Sequence, residues 1–332
     1  MKIMRLLVLV LALALVATSC AKAPPEEAPP TERTWDRILI SGSVMGGSGY
    51  SISVGMTQVT NKALPKIAFT IEETTGYADN AKRIVAGVSD MAMTDSLQIY
   101  RAVEGLAGYE EREIDLVVLM RLRPNLYVLL QATGDKQGWT LRDLEGKPAS
   151  LQLEGTGSYA VIKPALDAIG VKVIEKNMKH SDAGDALLEG TIVGHAGTGG
   201  YIPVLELVAA RKGMWLIGPA PEDIPIILDA CPWFSLMTFY GSKYYKGCND
   251  LDSMGVQCCW VSRSDLPDDI AYTLVKAAYE NIDTLGAAYS PLKEIEPSDI
   301  LGLTVENSIH PGVVKYYKEM GIDIPEKYIY KR

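Results

Sequence analysis

From residue 38 onward, short apolar runs alternate with longer mixed stretches. Ile38-Leu39-Ile40 reads as a buried strand, and Ser41 to Tyr50 as a glycine-rich turn. Ile52, Val54, Met56 and Val59 then lead toward Ala63 and Leu64, a helix of about four turns. Lys66 to Glu72 is a strand, Thr74 to Asn80 a turn, and Ala78 to Ala86 a helix that stops at Gly87. Asp90 to Thr94 is a third strand with a polar exit, Thr94-Asp95-Ser96, where Ser96 is placed to cap the next helix. Leu116 to Met120 and Leu126 to Leu130 read as two strands joined through the polar, proline-containing Arg121 to Asn125. That joint suggests a crossing between domains.

The second half repeats the order. Trp139 to Leu144 is a short helix, Pro148 to Leu153 a strand, Glu154 to Tyr159 a turn, and Ala160 to Ile169 a helix closing at Gly170. Val171 to Ile174 and Thr191 to Ala196 are strands, with helices over Ser181 to Leu188 and Ile202 to Ala210. Beyond residue 230 the pattern loosens. It still gives a strand at Val256 to Val261, one long helix at Pro267 to Leu285 and a last helix at Val313 to Met320. The alternation argues for α/β domains with parallel sheets.

The glycine-rich turn suits a ligand that approaches the main chain, because a helix opening there offers unpaired N–H groups and a partial positive charge. Two nucleotide motifs fail on the letters. Gly42 and Gly47 have P-loop spacing, but Ser48 stands where the phosphate-binding lysine belongs. Gly47-Ser48-Gly49 lacks the third glycine of a dinucleotide fingerprint.

The 332 residues are 48% apolar and 22% charged, enough for two domains. The net charge is −9, which argues against sequence-independent nucleic-acid binding. Lys2 and Arg5, the eleven apolar residues Leu6 to Val16, and Ala17-Thr18-Ser19-Cys20 form an export signal ending in a cysteine. The last four resemble a bacterial lipobox, with Cys20 the lipidated residue. The expected division is a signal peptide at 1–19, a proline-rich leash at 20–35, lobe I at 36–122 plus 263–332, and lobe II at 123–262. An exported domain rarely meets ATP or NAD. No cofactor and no metal site is expected: there is no C-x-x-C pair, and His180, His195 and His310 lie far apart in sequence. Export permits disulfides among Cys231, Cys248, Cys258 and Cys259, in any of three full pairings. On a strand, Cys258 and Cys259 point to opposite faces, so at most one is expected in the core.

Four turns place tyrosine after glycine or serine: Gly49-Tyr50, Gly76-Tyr77, Ser158-Tyr159 and Gly200-Tyr201. Each tyrosine either staples a helix start to its own sheet or faces a ligand beyond the strand ends. As a set they point to one cleft between the two halves.

Several motifs in order resemble those of TAXI-type solute receptors of tripartite ATP-independent periplasmic (TRAP) transporters. They are Gly42-Ser43-Val44-Met45-Gly46-Gly47, then Thr75-Gly76 to Asn80 with Gly87-Val88-Ser89-Asp90. Leu141 to Lys147 with Gly155-Thr156-Gly157-Ser158, and His310-Pro311-Gly312 with Tyr316-Tyr317, complete the series. Val44-Met45 and His195 to Gly200 depart from that pattern. The resemblance implies a two-lobed, hinge-linked periplasmic-binding-protein fold of type II that closes on its ligand. It implies ligand contacts at Ser43, Met45, Gly46, Gly47, Asn80, Ser96, Gly157 and Ser158, with Tyr50, Tyr77, Tyr159, Thr198 and Trp233 beside them. Arg121 or Arg123 either grips a carboxylate or is an exposed hinge residue. The implied role is capture of a small organic anion, a carboxylate or amino acid, and its delivery to TRAP membrane subunits from a lipid-anchored position outside the cytoplasmic membrane. The rival classes are a lipid-anchored enzyme acting on a small carboxylate and a protein-binding surface lipoprotein. Against the enzyme, G-x-S-x-G and H-E-x-x-H are absent, and His195 has no evident serine or cysteine partner.

Overall fold

The chain runs β1 (Arg37–Ser41), α1 (Ser48–Ala63), β2 (Ala68–Glu72), α2 (Tyr77–Val85), β3 (Met91–Asp95) and α3 (Ser96–Glu104). It continues with β4 (Leu116–Tyr127), β5 (Leu130–Thr133), β6 (Pro148–Ala149), α4 (Gly157–Ala168), β7 (Ile174–Glu175), α5 (His180–Glu189), α6 (Glu206–Lys212), β8 (Met214–Ile217), α7 (Asp223–Ala230) and β9 (Ser235–Phe239). Last come β10 (Leu251–Arg263), α8 (Asp268–Glu280), α9 (Ile282–Ala288) and α10 (Pro311–Glu319). This computed structural model describes residues 33–43, 45, 48–154, 156–199, 202 and 205–332, without the side chains of Ser48, Arg123 and Pro124. The export signal, Cys20, most of the leash, and Val44, Gly46, Gly47, Gly200 and Tyr201 lie outside the described residues. Ahead of β1, the Arg33 guanidinium sits 4.8 Å above the Trp35 ring.

The main sheet has the order β2-β1-β3-β10-β4, with β9 also on β10. β1 is parallel to β2 and β3, as the strand–helix alternation predicts. β10 is antiparallel to β3, β4 and β9, so the sheet is mixed. Cys258 and Cys259 are both fully buried, against the expectation of one. Their strand is central and covered on both faces, as buried sheets of this class are. Cys231 and Cys248 are buried too, and all four are free thiols.

Three readings at element level are corrected. Arg121 to Asn125 does not separate two strands: β4 runs through it. The ladder with β10 steps from Gln257↔Asn125 to Cys259↔Arg121, an irregularity opposite Cys258. Pro124, which has no N–H to give a neighbour, falls in that step. The long helix expected over Pro267 to Leu285 is two helices, α8 and α9, parted at Asn281, whose side-chain amide bonds the Ala277 carbonyl. Thr191 to Ala196 forms no named strand; His195 bridges Gln131 on one side and Ser150 on the other.

β4 and β10 tie the halves of the chain together. β10 pairs with β3 at one end and β9 at the other. A Cβ at Gly255 would lie 1.9 Å from the Leu126 carbonyl oxygen, so the two strands approach there only because position 255 is glycine. In the second half a separate apolar core gathers Val128, Leu130, Leu141, Leu151, Ile162 and Leu166 around α4. Residues 36–332 form one compact unit.

Candidate functional site

A cleft of about 530 Å³ lies between residues of the first half and residues of the second. Its first wall is the turn Thr75 to Asp79 with Asp95 and Gln98; its second is Gln152, Thr156, Gly157, Ser158, Ala160 and His180, with Leu126 of β4 between them. Four helices begin on this cleft. α2 opens at Gly76-Tyr77, α3 is capped by Asp95, α4 opens at Thr156-Gly157, and α5 starts at His180. Unpaired N–H groups and the positive ends of the helix dipoles therefore gather at its surface.

The first wall is built by local bonding. Gly76 has φ 128° and ψ −161°, a region essentially reserved for glycine, and it turns the chain into α2. Asp79 accepts from the N–H (3.1 Å) and hydroxyl (3.2 Å) of Thr75, which closes the turn. Asp95 Oδ1 accepts from the Gln98 N–H at 3.0 Å. Asp95, not Ser96, is thus the N-cap of α3, one residue earlier than expected. Burial pushes the Asp95 carboxyl up to about 6, with the Gln98 N–H and the Arg101 guanidinium pulling it back. Gln98 accepts from the Tyr109 hydroxyl at 3.0 Å.

The second wall rests on a buried chain of bonds. Ser150 Oγ lies 2.9 Å from His195 Nδ1, and His195 Nε2 lies 2.7 Å from His180 Nδ1. Ser150 Oγ also accepts from the N–H groups of Met178 (3.3 Å) and Gln152 (3.4 Å). Its one proton is therefore left for His195 Nδ1. His195 must then carry its hydrogen on Nε2 and give it to His180 Nδ1, so neutral His180 carries its own on Nε2. Burial and the neighbouring His180 hold His195 down to about 3, and burial lowers His180 as well, which keeps both rings neutral at pH 7. Gln152 has φ 73°, and its Oε1 accepts from the Leu153 N–H. A non-glycine residue in that region costs roughly 1–3 kcal/mol and persists where its surroundings fix it, as cleft walls often do.

Of the residues singled out from the sequence, Tyr77, Gly157 and Ser158 line the cleft. Ser158 Oγ is 2.8 Å from the buried Thr198 Oγ1. Asn80 is fully buried and spent on the protein: it donates to Ser43 Oγ (3.0 Å) and the Met93 carbonyl (2.8 Å) and accepts from the Thr74 hydroxyl. Ser43, at φ 69°, is held by this same cluster, its N–H bonded to Thr74 Oγ1 at 3.0 Å. Ser96 joins the Trp233 carbonyl (2.8 Å) to the Gln257 N–H (3.1 Å). Trp233 packs on Tyr100 at 5.3 Å, and Met45 is exposed. Of the three described tyrosines of that set, only Tyr77 lines the cleft. Tyr159, three residues into α4, packs against the second core, while Tyr50 lies over Gly42. Arg121 gives a hydrogen bond to the Asp299 carbonyl at 3.2 Å and does not line the cleft.

Sequence reasoning missed Asp79, Asp95, Gln98, Gln152 and His180. It also left His195 without a partner, whereas Ser150 and His180 flank it. The order Asp95-Ser96-Leu97-Gln98 signals a helix start, and that start faces the cleft. Nothing local joins Ser150, His180 and His195.

The model of the NMT1-like family matches residues 40–321. Among solved structures, a TctC solute binding protein from Polaromonas, crystallised without ligand, matches with 14% identity and a TM-score of 0.50, over 76% of this chain and 87% of that one. The periplasmic aliphatic sulphonate binding protein SsuA from Escherichia coli matches with 13% identity and a TM-score of 0.45, over 86% and 79% of the two chains. A TRAP periplasmic solute binding protein from Desulfovibrio salexigens, in complex with diglycerolphosphate, matches with 12% identity and a TM-score of 0.43, over 87% and 85%. The likeness to the Polaromonas protein concerns the fold, which is that of the two-lobed periplasmic binding proteins.

Proposed function

The chain belongs to the NMT1-like family, and from that premise we propose that it is an extracytoplasmic receptor for a small carboxylate-bearing solute, which it captures between two lobes and hands to a membrane transporter. One observation carries this reading: four helix starts, two from each half of the chain, open on a single cleft of about 530 Å³. Clefts of roughly 300–1,000 Å³ suit small ligands, and helix N-termini suit carboxylates. We assign the lobes to 36–122 plus 263–332 and to 123–262, with β4 and β10 as the connecting strands. The motif series from Gly42 to Tyr317 supports a TAXI-type receptor and TRAP membrane subunits as its partner. The basic, apolar and small-residue order of Met1 to Cys20 supports export and lipidation at Cys20.

The enzyme alternative finds a serine beside a histidine in Ser150 and His195, but both are fully buried, and Ser150 Oγ already serves His195 and two main-chain N–H groups. That serine has no route to a substrate.

A thermal-shift screen of organic acids and amino acids tests the receptor reading, since a ligand that binds only the folded state raises the melting temperature by mass action. A hit should also make the protein more compact in X-ray scattering. A screen answered only by neutral sugars or by inorganic cations would remove the carboxylate reading.

A further inference from the structure

Helix starts open on the cleft from both walls, but only the first wall carries carboxylates. On the first wall stand two carboxylates, Asp79 and Asp95. Asp95 is only 5% exposed, yet it reaches the cleft. Among the described residues lining the cleft there is no lysine or arginine. The second wall offers donors. The Gly157 and Ser158 N–H groups are free at the start of α4, because the N-cap Thr156 accepts only from the Tyr159 N–H. The Ser150–His195–His180 chain leaves His180 Nε2–H as the ring atom available to a ligand. Gln152, its Oε1 used by Leu153, has its Nε2 hydrogens to give.

We propose that the ligand is a zwitterion with one carboxylate, which lies against Gly157, Ser158 and His180, and one cationic nitrogen, which lies against Asp95. The chemical class is an amino acid or betaine of net charge zero or above; a second carboxylate would meet Asp79 and Asp95, and Arg101, which acts on Asp95, is not among the lining residues. This inference rests on the receptor reading and narrows it. Its physical basis is that a buried carboxylate gains most from a partner that replaces its lost water. Asp95, raised to about 6 by burial, is still largely ionised at pH 7. An ammonium group satisfies it, whereas a plain anion adds to its cost. The carboxylate end is recognised without any positive side chain, by helix N–H groups and a histidine held in its donor tautomer.

The test is titration calorimetry on the full chain purified in detergent. The probes are the twenty protein amino acids and glycine betaine, each amino acid matched by its deamino acid and its decarboxylated amine. The tightest binder should carry both groups and no second carboxylate. Loss of either group should weaken it by roughly tenfold or more, the size of a charged hydrogen bond. Asp95→Asn keeps a good helix cap and removes the charge. It should weaken the zwitterion by a similar factor and tighten the deamino acid, which no longer meets a like charge. A mono- or dicarboxylate that binds as tightly as its amino counterpart overturns the zwitterion and leaves the receptor standing, and so does undiminished binding by Asp95→Asn. No binding anywhere in the panel removes both. Should the Asp95 variant not fold, the matched compounds decide alone.

Discussion

His180 and His195 show how much one proton position decides. His180 presents a donor to the cleft because Ser150, three atoms back, has only one hydrogen to give. Nitrogen-15 shifts of the two imidazoles should therefore report Nε2–H for both at pH 7; an Nδ1–H signal from His180 contradicts the chain. Ser150→Ala strands the buried His195 Nδ1 without a donor and should cost roughly 1–3 kcal/mol in stability. It should also scramble the His180 tautomer. Asn80 belongs at this scale too. All its amide bonds are internal, so Asn80→Ala should lower the unfolding free energy, read from denaturant titration, by roughly 1–3 kcal/mol. A variant as stable as the parent would show that the cluster around Ser43 does not depend on it. The family resemblance implies ligand contacts at Asn80 and Ser96, because a polar residue where a strand passes into a helix carries the same signal whether it serves a ligand or the turn.

At the scale of elements, most of the strands and helices are legible and most boundaries fall within a few residues. The readings that fail do so where tertiary partners overrule local signals. A proline between two apolar runs reads as a break. Here the break is absorbed by a step in the β4–β10 ladder, and the strand continues. An apolar pattern over Pro267 to Leu285 reads as one helix, but Asn281 turns its amide onto the Ala277 carbonyl and divides it. The closest approach in the connection is at Gly255. Gly255→Ala pushes a methyl into the Leu126 carbonyl region and should cost about 3 kcal/mol or prevent folding. Urea unfolding of that variant measures it, and a midpoint equal to the parent's would mean that the strands part there without cost.

For the whole molecule, pH couples the buried groups to stability. His195, held to about 3, and His310, held to about 4, resist a proton that the unfolded chain takes near 6.5, and His180 is lowered in the same sense. Their contribution is present above pH 6.5 and is lost as the pH falls toward the folded values. Asp95 opposes them: its folded value, about 6, exceeds the unfolded 3.8, so it gains stability as the pH falls through that interval. Three groups against one predict a melting temperature that drops from pH 7 to pH 5, a drop made shallower by His310→Gln and steeper by Asp95→Asn. A flat or rising profile would contradict the assignment. The amino-acid sequence by itself determined the strand–helix alternation and the glycine turns that start helices, because these depend on neighbours a few residues apart, and the acidic net charge, which depends on composition alone. Which helix starts share a cleft, which polar groups are consumed inside the fold, and which proton a buried serine lends to a histidine were decided only by the tertiary structure. Residues 75–79, 95–98, 152–160 and 180 become neighbours solely through the packing of the two halves.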